Sequence, residues 1–161
     1  MNRRSARRLF FLACLVLVPS VILAPLQAAG AQCSTAAAAG KWAYTYTGTV
    51  FTPNGPLPLA SVGHYSADAA GNLVGSQSRS VAGSSGVEYI AGTFSVNKDC
   101  TGTATINVLV NGQLQRTAVL ALTFDNNMNH ARGIFQSLVL PDGTNVPVVI
   151  TSDNTRVFPR N

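Results

Sequence analysis

From about residue 40 onward, apolar and polar side chains alternate in short runs, and each run ends in residues that favour turns. The alternation predicts eight strands, at about 40–50, 59–67, 73–81, 87–96, 102–110, 113–124, 130–140 and 144–151. On the first, Trp42, Tyr44 and Tyr46 share one face while Lys41, Ala43, Thr45 and Thr47 share the other. The separators are Pro/Gly loops or Asx-type turns, and Asn111-Gly112 is the clearest, because both residues tolerate the positive φ of a type I′ hairpin. Asp68 and Asp125 each precede an asparagine by four positions, which Asx-turn chemistry explains without calcium or glycosidic catalysis. Only the stretch 34–39, four alanines behind a capping Ser34, reads as helical, for little more than one turn.

Eight strands joined by short turns form a meander, and a meander of this size removes its exposed edges by closing on itself. The expected fold is therefore all-β: an eight-stranded antiparallel up-and-down barrel, lipocalin-like in its meander, with one short N-terminal helical turn. A two-sheet sandwich is the rival, but sandwiches need longer crossovers than this chain offers. At eight strands a barrel interior either fills with side chains or holds one small ligand.

The first 31 residues follow a different pattern. Arg3, Arg4, Arg7 and Arg8 precede the apolar run 9–26, and Ala29-Gly30-Ala31 follows it, which is the layout of an export signal cleaved after Ala31. Roughly 18 apolar residues can also just span a bilayer, but Pro19 and Pro25 interrupt this run. The expectation is residues 1–31 as signal peptide and 32–161 as a single barrel domain, exported to the periplasm or secreted, with no stable membrane anchor after cleavage. The segment 6–12 is similar to a twin-arginine signal, and the general route fits equally well. The absence of any Asn-x-Ser/Thr acceptor site fits a bacterial origin.

This reading changes the charge balance. The chain carries 11 basic and 6 acidic residues, but four arginines leave with the signal, so the mature domain has a net charge of only +1. No basic stripe remains to bind nucleic acid or an anionic membrane. Cys14 leaves as well, and Cys33 and Cys100 form the single pair available in an oxidising compartment. Nothing resembles a redox Cys-x-x-Cys or a zinc ligand set, so the expected role is structural.

Gly40-Lys41-Trp42 resembles the Gly-x-Trp of lipocalins. The segments 60–75 (ASVGHYSADAAGNLVG) and 92–105 (GTFSVNKDCTGTAT) resemble those of an uncharacterised group of secreted bacterial proteins, and the overall plan is similar to lipocalin-like and allene-oxide-cyclase-like barrels. The resemblance implies a fold and a compartment, and no established activity.

The chain contains no nucleophile elbow, His-Glu-x-x-His site, phosphate loop or dinucleotide fingerprint, so neither a cofactor nor a metal is expected. The scarce charges on strands are the better lead. Glu88, the sole glutamate, shares a face with Ile90, Phe94 and Val96; it is either a solvated strand-end carboxylate or a buried group with a raised pKa. Arg79, Arg116 and Arg132 lie on three strands, where they either point into a lumen, to neutralise Glu88 or hold a carboxylate or enolate, or sit in solvent. His64, beside Tyr65, is a conceivable general base, although His64 and His130 are more simply surface or satisfied core residues. Trp42, Tyr44 and Tyr46 either line a cavity or form packed core. Three functions follow: binding of a small apolar or amphipathic molecule in the barrel, a cyclase- or isomerase-type reaction in the same cavity, or a structural domain with a filled interior.

Overall fold

The structure, a computed structural model, describes residues 33–157. The predicted signal segment 1–31, its cleavage point after Ala31 and Cys14 lie outside the described residues. After a single helical turn, α1 (Thr35–Ala38), the chain forms β1 (Gly40–Thr52), β2 (Gly55–Ala67), β3 (Asn72–Val81), β4 (Ser84–Val96), β5 (Thr101–Val110), β6 (Gln113–Phe124), β7 (His130–Val139) and β8 (Val148–Arg156). Each strand pairs antiparallel with the next and β8 pairs with β1, so the meander closes into a barrel, with the β7–β8 ladder confined to His130–Ile134.

Most strands lie where alternation predicts them. β2 starts earlier than expected, at Gly55, despite Pro56 and Pro58. Those prolines are tolerated because this stretch pairs only with β1, and the β2–β3 ladder begins at Leu59. The β3–β4 connection is also tighter than the predicted five-residue turn: Ala82 and Gly83 alone make it, both at positive φ. At Asn111-Gly112 both residues have positive φ, as a type I′ turn requires.

The eighth strand corrects the sequence expectation, running over Val148–Arg156 and not 144–151. Residues 144–147 make one bridge to β7 and then cross toward β1, where the Pro147 carbonyl accepts from Phe51 N–H at 2.9 Å. The true strand was hidden because its inward positions Ser152, Asn154 and Arg156 are polar, so it carries no apolar alternation at its C-terminal end.

The two barrel ends differ. One carries the β1–β2, β3–β4 and β5–β6 hairpins and the 140–147 loop, and it is open as a mouth. The other is closed by α1. Ser34 caps this turn by accepting from Ala37 N–H at 3.1 Å. The Cys33–Cys100 disulfide is present, linking the cap to the β4–β5 turn. In the ring β1 and β5 stand opposite each other, four strands apart either way round. The chain from the Cys100 tether to the start of β1 therefore crosses the barrel end as a lid.

Arg156 fastens that lid from inside, donating to the carbonyls of Met128 (3.1 Å), Ala37 (2.8 Å) and Ala39 (2.5 Å). Its guanidinium lies 4.7 Å from the Trp42 ring centre, a cation–π contact, and Trp42 donates to Ala38 O at 2.9 Å. Gly40, at φ +145°, is where this approach needs a glycine, since a β-carbon would collide with the Arg156 guanidinium.

Candidate functional site

An aromatic column runs up the inside from lid to mouth. Phe124 meets Trp42 edge-on at 6.1 Å between centroids, Trp42 stacks on Tyr65 at 6.2 Å, and Tyr65 meets Tyr44 at 5.7 Å. Tyr44 stacks on Tyr46 at 6.4 Å, and Tyr46 meets Phe135 edge-on at 5.6 Å. Period-two alternation on β1 delivers three of the six rings to one face. The absence of a side chain at Gly63, paired with Tyr44, makes room for the Tyr44 ring, 2.8 Å from where a β-carbon would stand.

Joined to this column at Tyr44 and Tyr46 is a polar girdle built from β1, β3, β4 and β6. Glu88 is buried, and its carboxylate accepts from four donors. Arg116 binds it bidentately, Nη1 to Oε1 at 2.8 Å and Nη2 to Oε2 at 2.5 Å. Arg79 Nε reaches Oε1 at 2.9 Å, and Gln77 Nε2 reaches Oε2 at 2.6 Å. Gln77 Nε2 also donates to the Tyr46 hydroxyl at 3.0 Å, and Tyr44 donates to Gln77 Oε1 at 2.7 Å. An ionised Glu88 fixes the direction of this chain: it demands the amide nitrogen, which leaves the amide oxygen to accept from Tyr44.

The electrostatics agree. Burial pushes the Glu88 pKa up, but the Arg116 hydrogen bonds and charge, then Gln77 and Arg79, outweigh it and hold the carboxyl below its ordinary value. Neither alternative offered by the sequence holds: Glu88 is buried and not a solvated strand-end carboxylate, yet its pKa is not raised, because Arg79 from β3 and Arg116 from β6 reach it across that apolar face. Burial likewise opposes the Arg116 charge, and Glu88 more than restores it. Burial raises the Tyr44 and Tyr65 hydroxyls above the ordinary phenol range, with Tyr46 the next cause at Tyr44, so both remain neutral.

A pH dependence follows. With a depressed folded-state pKa, ionised Glu88 contributes stability above its unfolded value near 4.5, and that contribution is lost as pH falls through the lower folded value. The urea midpoint of the wild type should therefore drop more steeply below pH 4.5 than that of Glu88→Gln, with the two profiles diverging toward neutral pH. Parallel profiles would remove Glu88 from the acid transition.

Two cavities flank the girdle. The inner one, about 80 Å³, lies against the aromatic column and against Ile90, Ala104, Ala118 and Leu120, with Ser152 and Asn154 as polar edges. The Asn154 amide nitrogen donates to Ala131 O at 3.2 Å and Ser152 Oγ at 3.3 Å. The mouth cavity, about 210 Å³, has an apolar wall that includes Val50, Leu59, Val81, Leu138 and Val146, with Arg79, Arg116 and Tyr46 as its polar members. Tyr46, Arg116 and Phe135 border both cavities.

Of the residues singled out from sequence, Trp42, Tyr44, Tyr46, Arg79, Glu88 and Arg116 thus face the interior together. Two do not. His64 is on the outer face, paired with Ala43 and Ser76. Arg132 is also outside, 79% exposed, with its Nε 3.9 Å from Asp153 Oδ2; Asp153 also pairs with His130 at 3.0 Å. Leu138 shares Arg132's parity but turns inward, because the β6–β7 register slips between Val119 and Leu120 and leaves Gln136 unpaired. The Asx turns are as expected: Asp68 Oδ1 accepts from Asn72 N–H and Asp125 Oδ1 from Asn129 N–H, each at 2.8 Å. Gln77, Ser152, Asn154 and Arg156 were not identified from sequence. Among the described residues no cluster of His, Cys, Asp or Glu is suited to a metal ion. The chain matches no known protein family, curated protein or solved structure.

Proposed function

We propose that the mature domain is exported and binds one small apolar or amphipathic molecule inside the barrel. The observation that carries this reading is the pair of cavities on either side of Tyr46, Arg116 and Phe135: apolar walls with a few convergent polar groups are the usual make-up of a small-molecule site. Those cavities also weigh against a purely structural domain with a filled interior. The disulfide is consistent with an oxidising compartment, which supports a role in the periplasm or outside the cell.

The convergence of Tyr44, Tyr46, Glu88 and two arginines favours a second reading, a cyclase- or isomerase-type enzyme. In it, Arg116 and Tyr46 would stabilise negative charge developing on a substrate. Glu88 is a poor general base in that scheme, because all four of its acceptor directions are taken.

Native mass spectrometry of the mature protein recovered from its own host tests both. The expected result is a 1:1 adduct that organic extraction releases as a discrete small molecule. If the protein instead converts that molecule on re-addition, the enzymatic reading replaces simple binding. A bare protein that also takes up no small amphiphile would overturn both.

A further inference from the structure

Resting on the binding reading above, we infer that the ligand carries a single negative charge, held at the floor of the mouth cavity by Arg79, Arg116 and the Tyr46 hydroxyl.

Charge balance is the first ground. The girdle contains two guanidiniums and one carboxylate, so it keeps a net charge of +1 inside an otherwise apolar mouth. The arrangement of that charge is the second. Glu88 turns its oxygens to four donors and borders neither cavity, whereas both arginines border the mouth cavity. An incoming ligand therefore meets the cations and not the carboxylate.

Free donors are the third. The Arg79 side chain makes one hydrogen bond among the described residues, through Nε, and is 32% exposed, so both terminal nitrogens remain available toward the mouth. Tyr46 already accepts from Gln77. The direction of the Gln77 chain leaves the Tyr46 proton with no acceptor among the described residues. Two guanidinium edges and one phenol at the base of an apolar wall suit a carboxylate or similar monoanion with a hydrocarbon body. A cation would be repelled, and a neutral body would leave these donors without an acceptor once water is displaced.

A matched series with one eight-carbon body separates the possibilities: octanoate, 1-octanol and octylammonium, titrated into the mature protein at pH 7.5 and low salt, with tyrosine and tryptophan emission as the readout. Octanoate should bind about tenfold or more tighter than octanol, as a charge-assisted hydrogen bond allows, with octylammonium weakest. Arg79→Gln should weaken octanoate several-fold and bring it to within about threefold of octanol, with the unfolding midpoint nearly unchanged. Equal affinities across the series would overturn the anion inference and leave the binding reading standing. No binding of any member would overturn both.

Discussion

Replacing Glu88 with alanine should destabilise the barrel by about 3–5 kcal/mol, the usual cost of removing one partner from a buried ionic cluster. The cost comes less from the lost attraction than from what stays behind. Arg116, whose side chain is only 12% exposed, would keep its charge inside the barrel with no carboxylate to accept from it. Gln77 would lose its second acceptor and the Tyr44–Gln77–Tyr46 chain its anchor. Arg79, nearer the mouth, can turn to water, so Arg79→Gln should cost under about 1 kcal/mol. Urea unfolding at pH 7 measures both. The informative control is Glu88→Ala combined with Arg116→Met, which removes the stranded charge and should recover much of the loss. If Glu88→Ala cost no more than Arg79→Gln, the girdle would not be an electrostatic unit. Given total stabilities of about 5–15 kcal/mol for domains in general, the single variant sits near the limit of what the fold tolerates.

The contrast between the two arginines also shows which parts of the site could be seen in the sequence. Strand alternation is a local property, and it put Trp42, Tyr44 and Tyr46 on one face and Glu88 on an apolar one, while leaving open whether Glu88 and Arg116 turn inward. A charge on such a face stands out because a small β-domain has few ways to bury one. Gln77 escaped notice since it is neutral, although it is the residue that joins the tyrosines to Glu88. For Arg132 alternation left lumen and solvent both open, since it shares parity with Leu138, and only the unpaired Gln136 separates the two. A similar slip at Gln115 leaves Leu114 exposed while Arg116, two positions on, points in. Bulges depend on how one strand meets its neighbour, and no single run of residues announces them. His64 lies between Gly63 and Tyr65, both turned to the barrel side, so its outward position follows from alternation alone. The C-terminal half of β8 was the largest omission. Ser152, Asn154 and Arg156 resemble a solvated tail, and only the carbonyls of the lid and of Ala131, distant in sequence, make their burial affordable in energy.

The other large effect should come from the lid. Removing both Cys33 and Cys100, as Cys33→Ala with Cys100→Ala, should lower unfolding stability by about 4 kcal/mol, since the bridge spans a sequence separation of 67 residues. In this fold that loop contains β1 to β4, half the barrel, so in the unfolded chain the bridge restricts half the strands to a closed ring. For a domain of roughly 130 residues the corresponding fall in Tm is about 15 °C. The folded state should change little, because the lid has other fastenings. Thr35 Oγ1 accepts from Val96 N–H at 3.0 Å, Trp42 holds Ala38 O, and Arg156 holds the carbonyls of Ala37 and Ala39. Those bonds are few, so the lid should also become the first part to open. Hydrogen exchange at the Val96 amide and the Trp42 indole should accelerate well before exchange in the mid-strand ladders does. Matching melting curves for the oxidised wild type and the double variant would show that the bridge adds nothing to stability. A lowered Tm with unchanged exchange at Val96 and Trp42 would instead show that the bridge acts through the unfolded chain alone, and that Arg156 and Thr35 suffice to keep the barrel end shut.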